Sequence, residues 1–360
     1  MIQYLNTRMS LKLTSRSFST IVDEFPIDVI WIYGTEQAYR LDEELRRRLT
    51  ASHGMSASPA GSDETSESDK QPRRLRIRHL FLHQKMTHRH NPYDGPHYDL
   101  HNLYARIFQY CTDLSGFIYV NMTTTSFSGG LANAIADKFP RQLRYIHWNA
   151  LFLAGSTSRF FHRVAHSLRA FRADRAQTSG SLRTGVSLPA LTHIDMSSTD
   201  LGLNWMVQWK LPSITHIAIG DIGPNLCEFL ASVNRTLISV RFVRMETSAP
   251  FREVLAVAPN LQELSYYVSD AHKHLSSSRY WTSDLCHQSL QHLTITFMTY
   301  SRSSLLEYVR PINKLHFTKL QTVRIELRPF YGDPHFHSTV AEFLLENLDM
   351  SNHPISITTR

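Results

Sequence analysis

LPALTHIDMSSTDLGLNWMVQWKLPSITHIAIGD, residues 188–221, writes one short apolar pattern twice. Leu191, Ile194 and Met196 stand at L-x-x-L-x-L spacing, and Ile214, Ile217 and Ile219 repeat it 23 residues later, each copy following a Leu-Pro pair. A fixed period of this length marks a chain built by stacking one small unit.

Working outward, the same spacing occurs at Ile77, Leu80, Leu82; Leu114, Phe117, Tyr119; Leu143, Ile146, Trp148; and Leu168, Phe171, Ala173. Beyond the centre it recurs at Leu237, Val240, Phe242; Leu261, Leu264, Tyr266; Leu290, Leu293, Ile295; and Leu320, Val323, Ile325. The intervals are 23 to 25 residues in the middle and 29 to 37 nearer the ends, as the looser terminal units of a stacked array allow. Ile27, Ile30 and Ile32 fit the pattern once more, ahead of a helical stretch from Glu36 to Leu49.

Alternate residues of a strand point to opposite faces, so positions 4 and 6 of each copy enter a core while 3, 5 and 7 face outward. Position 1 begins the inward turn. Between copies lie segments with apolar residues three or four apart, such as Leu103, Ile107, Cys111 and Phe160, Phe161, Val164, which suit helices covering one side. The connections are long enough for parallel crossovers, so the strands should pair in parallel and in chain order. From Ile77 to Arg360 this resembles the leucine-rich-repeat family, and the resemblance implies an α/β solenoid with helices on the convex side of a curved parallel sheet whose concave face binds protein. The family's Asn at position 9 is replaced by Thr199, Ile222 and Met245, which makes this a diverged member.

The first 25 residues differ in kind. In MIQYLNTRMSLKLTSRSFSTIV, Leu11, Leu13, Phe18 and Val22 are spaced like a packed helix. The segment resembles the later part of an F-box, as in fungal F-box proteins with divergent repeats: Ile2 and Leu5 fit the middle helix and LKLTSRSF the helix that leads to the substrate domain. The family's opening Leu-Pro helix has no counterpart here. The resemblance implies that Ile2, Leu5, Leu11, Leu13 and Phe18 dock on the Skp-type adaptor of a cullin ubiquitin ligase. Read from the residues alone, the segment is equally a helical cap over the first repeat. The expected division is therefore 1–25 as a partial F-box-like segment and 26–360 as the solenoid. Within the latter, residues 51–72 form a Ser- and acid-rich insertion too polar to order itself, with Ser62, Thr65, Ser66 and Ser68 open to phosphorylation.

Composition is consistent with a single elongated body: 42% of 360 residues are hydrophobic, and a solenoid escapes the size limit of a single core by stacking. Cys111, Cys227 and Cys286 fall in separate repeats without metal or disulfide spacing. No apolar run of about 18 residues and no secretory start is present, so cytoplasm or nucleus is expected. Six histidines between His79 and His101 suggest a metal, but the turn sequence around His88 to His97 lacks the helix such a site needs; the GDPHFH turn ahead of a capping box at Thr339 to Glu342 is set aside likewise. Phosphate-loop, nucleophile-elbow and dinucleotide motifs are missing. Neither a cofactor nor a catalytic residue is expected.

Charge supplies the remaining clue. Arg141, Arg144, Arg159, Arg163, Arg169, Arg172, Arg175 and Arg183 are opposed across their span by Asp174 alone, which points to an acidic protein partner before nucleic acid. Outward positions 3 and 5 supply the expected partner-binding residues His147, Arg172, His193, Asp195, His216, Arg241, His292 and Arg324. Parallel neighbours lie about 4.8 Å apart, so His193 and His216 should be adjacent, with Asp195 and Arg172 beside them. Protonation of such histidines should strengthen the hold on an acidic partner as pH falls, and reversing Arg172 and Arg241 should leave the core intact.

Overall fold

A strand that must bury two side chains and show two others needs few residues, and the observed strands have four to six. The computed structural model describes residues 29–54, 77–84, 97–121, 135, 137–149, 154–174, 185–196, 206, 208–220, 225–243, 251–268, 285–297, 302–327, 336–349 and 351–359. The chain forms two compact units, Met1–Tyr145 and Ile146–Arg360. Each is an α/β solenoid laid out on the leucine-rich-repeat strand pattern.

In the first unit, β1 (Val29–Tyr33), α1 (Thr35–Gly54), β2 (His79–Gln84), α2 (His97–Tyr110) and β3 (Gly116–Asn121) follow one another, and the three strands pair in parallel in chain order. Leu80 is level with Phe117 and Leu82 with Tyr119, which stacks like positions into columns. Gly34 makes the turn from β1 into α1 at φ 92°, in the left-handed region that favours glycine. The helices are tied by Asp42, 4% exposed, which accepts from Arg46 of its own helix at 2.7 Å and from Arg106 of α2 at 3.1 Å. Phe108, Phe117 and Phe139 meet edge to face in the core.

The second unit holds β4 (Tyr145–Asn149) from Ile146 on, α3 (Ala154–Val164), β5 (Ala170–Ala173), β6 (His193–Met196), β7 (His216–Ile219), α4 (Leu226–Val233) and β8 (Ser239–Phe242). It continues with α5 (Phe251–Val257), β9 (Glu263–Val268), β10 (His292–Phe297), α6 (Arg302–Val309), β11 (Thr322–Leu327), α7 (Phe336–Asn347) and β12 (Ile355–Thr359). Its strands are hydrogen-bonded in chain order, with Ile194, Ile217, Val240 and Leu264 level with one another, and the described pairings are parallel. Positions 1, 4 and 6 of these repeats are buried from Leu168 to Ile325. Each Val, Leu, Ile, Phe or Met among them contributes about 1.5–3 kcal/mol through removal from water. On α4, Leu226, Phe229, Leu230 and Val233 form the buried stripe facing this core.

Strands β1 to β11 begin two residues after position 1, and the reason is in the backbone. In several repeats the position 1 amide is spent on a tight turn, donating to the carbonyl three residues back: Leu191 to Leu188 at 3.2 Å, Leu261 to Ala258 at 3.1 Å, Leu320 to Phe317 at 2.9 Å. Its side chain is nonetheless in the core. Three local expectations change. Strand β12 was not anticipated, because Asn352 stands where its repeat needs an apolar position 1. Thr339 lies inside α7 rather than at its N-terminal cap, since the helix starts at Phe336. Finally, α1 runs on to Gly54 and takes in the first residues of the stretch read as an insertion.

His287 shows how the turns are locked. It is 6% exposed, donates from Nε2 to the Ala258 carbonyl at 3.0 Å, and accepts at Nδ1 from the Leu290 amide at 3.0 Å. Burial depresses its pKa, opposed by the Ala258 carbonyl that favours the charged form. Both nitrogens are used by the fold, so this histidine is a structural one.

Candidate functional site

Outward positions of the second unit's strands form an open sheet face, and the eight residues expected to bind a partner all lie on it. The structure brings five of them into two local clusters. On β4 to β6, His147 Nε2 lies 2.5 Å from Asp174 Oδ2, Arg172 Nε donates to Asp174 Oδ1 at 2.9 Å, and Arg172 Nη1 reaches Asp195 at 3.6 Å. On β6 and β7 the His193 and His216 rings stack with centroids 4.3 Å apart and planes within 7°. Further on, Arg241 donates to the Tyr267 hydroxyl at 3.2 Å, and His292 Nδ1 pairs with Thr322 Oγ1 at 2.8 Å. Arg324 is exposed on β11.

Sequence reasoning missed Asp174 as a site residue. It sits at position 7, just past β5, where the spacing shows only an outward side chain and not that it turns back on Arg172. Burial raises its pKa, but the hydrogen bonds and charges of His147 and Arg172 outweigh that and hold the carboxyl below its ordinary value. Arg172 is therefore no isolated surface cation, which corrects the expectation that its reversal leaves the structure intact. Arg172→Glu would set a third carboxylate against Asp174, whose side chain is 11% exposed.

The expected cost is about 1–3 kcal/mol, measured as a lower thermal midpoint than the parent's. Asp174 ionises below its ordinary value of 3.8, so its contribution is complete above that value and is lost as pH falls through the lowered one. The gap between parent and Arg172→Glu should accordingly narrow below about pH 4. A gap that is constant with pH would remove Asp174 from the explanation.

The run of arginines is divided by the fold. Arg172 is on the open face, Arg159 and Arg163 are exposed on α3, and Arg141 and Arg144 belong to the first unit; Arg175 and Arg183 lie outside the described residues. Ile2, Leu5, Leu11, Leu13 and Phe18 lie outside them too, as do Ser62, Thr65, Ser66 and Ser68. Among the described residues no group of three or more His, Cys, Asp or Glu could hold a metal ion. No helix among them is long and apolar enough to cross a membrane.

In the first unit the outward face is aromatic instead: Trp31 stacks on Phe81 at 5.2 Å and Tyr33 on His83 at 4.7 Å. Gly116 at position 3 of β3 leaves room for the His79 ring, which a Cβ there would strike.

One detail of the second unit sets the chemistry of the histidine stack. The position 2 carbonyl of each central repeat accepts both the position 2 and position 3 amides of the next, as Arg169 does from Thr192 and His193, and Thr192 from Thr215 and His216. The threonine hydroxyls join in: Thr192 Oγ1 donates to Arg169 O at 3.0 Å and Thr215 Oγ1 to Thr192 O at 3.1 Å. Each hydroxyl is also 2.8 Å from Nδ1 of the histidine that follows it.

No family model matches the chain, and no curated protein matches it. Among solved structures, it is similar to the leucine-rich repeat-containing protein LegL7 from Legionella pneumophila, with 10% identity over 76% of this chain and 92% of that one and a TM-score of 0.40.

Proposed function

We propose that the open sheet face of the second unit is a protein-docking surface. The observation that supports this reading most is the set of polar side chains at positions 3, 5 and 7 of adjacent strands. They are fixed by one another, above columns of buried apolar side chains that hold the strands in place. A surface so ordered before binding loses little side-chain entropy when a partner arrives. Its charges are interleaved: Arg172, Arg241 and Arg324 alternate with Asp174, Asp195 and Glu263. Such a pattern selects a partner by complementary charge, and gives a uniform polyanion no continuous track.

Arg241→Glu with Arg324→Glu tests the reading, since both side chains are exposed and neither touches Asp174. Affinity capture from one lysate, quantified by mass spectrometry, should recover with the parent a protein set that the double variant loses, at an unchanged thermal midpoint. Identical sets would show that the face is not the docking surface. The narrower role of target-selecting subunit in a cullin ubiquitin ligase draws on the sequence of residues 1–22. Retention of a Skp-type adaptor by the full chain would support it, and failure to retain one would leave a free-standing scaffold.

A further inference from the structure

The two central repeats write Thr-His at positions 2 and 3, and the fold gives both copies the same wiring. Each threonine hydroxyl lies a hydrogen-bond length from a carbonyl oxygen as well as from Nδ1, and donation to the carbonyl is the assignment that puts a hydrogen in both contacts. A hydroxyl has one hydrogen, so it must accept from Nδ1–H of the histidine. Both rings therefore carry their proton on Nδ1, and both Nε2 atoms are left as acceptors. Among the described residues nothing bonds to either Nε2. The rings stack almost parallel, so their lone pairs run side by side instead of converging on one point, which suits two donors on a single planar group better than a metal ion.

The surroundings admit such a group. At position 3 the stack is flanked by Ala170 on β5 and Ser239 on β8, both small, so the approach is open. The charged groups facing it are Asp195 on its own β6, Arg172 and Asp174 from β5, and Arg241 from β8; β7 contributes only Ala218. The two carboxylates are matched by the two guanidiniums, so no net positive charge beside the acceptors opposes a cationic group.

Resting on the docking surface proposed above, we infer that the His193–His216 stack recognises a guanidinium group on a basic segment of the partner protein. A guanidinium presents paired, coplanar N–H donors, which an ammonium does not. It is accepted across the two Nε2 atoms while the rings are neutral and expelled when they are protonated, because each Nε2 then becomes a donor and the stack a cation. Burial, and next the neighbouring His216, hold His193 below its ordinary pKa, which favours the neutral form of that ring. The pH dependence is thus opposite in sign to that expected for an acidic partner.

A fluorescent Gly-Arg repeat peptide, titrated into the full chain, tests this, with a Gly-Asp repeat peptide as counterpart. The Arg peptide should bind at least about tenfold more tightly at about pH 7.5 than at about pH 5, the range across which ordinary imidazoles gain their proton. His193→Gln with His216→Gln keeps an amide oxygen as acceptor and cannot titrate, so binding should persist and the ratio fall to about one. A ratio unchanged by the substitutions, or tighter binding of the Asp peptide than of the Arg peptide at about pH 7.5, overturns the inference. Should the double variant not fold, long-range proton–nitrogen spectra of the parent decide. The two Nε2 signals must shift with the Arg peptide, and their indifference is equally fatal. The two readings fail separately. Loss of captured proteins by Arg241→Glu with Arg324→Glu, combined with peptide binding indifferent to both pH and the histidine substitutions, keeps the surface and removes only the guanidinium.

Discussion

Ile217→Asp is expected to abolish the cooperative thermal transition of the second unit. Ile217 is 2% exposed at position 4 of β7, level with Ile194 on one side and Val240 on the other. A carboxylate there would meet only hydrocarbon, with no cation in the column to pair it. The cost is at least about 4 kcal/mol, against a whole-domain stability of roughly 5–15 kcal/mol. Ala218→Asp, one residue on but outward, should stay within about 0.5 kcal/mol of the parent. Circular dichroism melts of the two variants make the comparison, and equal midpoints would contradict the assignment of faces on which the site depends.

Phe161→Ala should cost nearly as much, about 3–5 kcal/mol. Phe161 is wholly buried on α3 and meets Phe160 at 4.8 Å, Phe171 at 5.1 Å and Trp209 at 4.8 Å, each edge to face. Those contacts join the helix to β5 and to the turn before β7. Removing the ring leaves a cavity that three rigid aromatics cannot collapse to fill. Denaturant unfolding should show a lower midpoint with an unchanged slope, whereas Phe161→Leu, which keeps most of the volume, should lose less than half as much. A loss below about 1 kcal/mol would mean that the aromatic cluster does not bind α3 to the sheet.

Legibility followed the physics of each feature. Strand positions could be read because burial demands the same three apolar residues in every repeat, whatever the loops do, and the stacking of His193 on His216 followed from register. The repeat at Ile355 escaped because its turn is held by polar Asn352 and Asp349 contacts in place of an apolar position 1. The partnership of Asp174 with His147 and Arg172 escaped for another reason: side-chain hydrogen bonds between strands depend on rotamers, which no periodicity encodes. The hydroxyl relay through Thr192 and Thr215 lies deeper still, in a carbonyl shared between repeats. The repeated Thr-His was its one visible sign.

The parallel ladder of the second unit, in which each strand is bonded only to those next to it in the chain, also determines how the protein responds to load. Tension applied through the chain ends would not have to shear many hydrogen bonds at once; it would meet the outermost strand and peel it away before the next is stressed. Extension should therefore proceed in small steps at modest force, one turn of the coil at a time, and reverse in the same way on slackening. A body of this construction stretches like a spring that uncoils from its ends, and its central repeats, around β8, would be the last part to open.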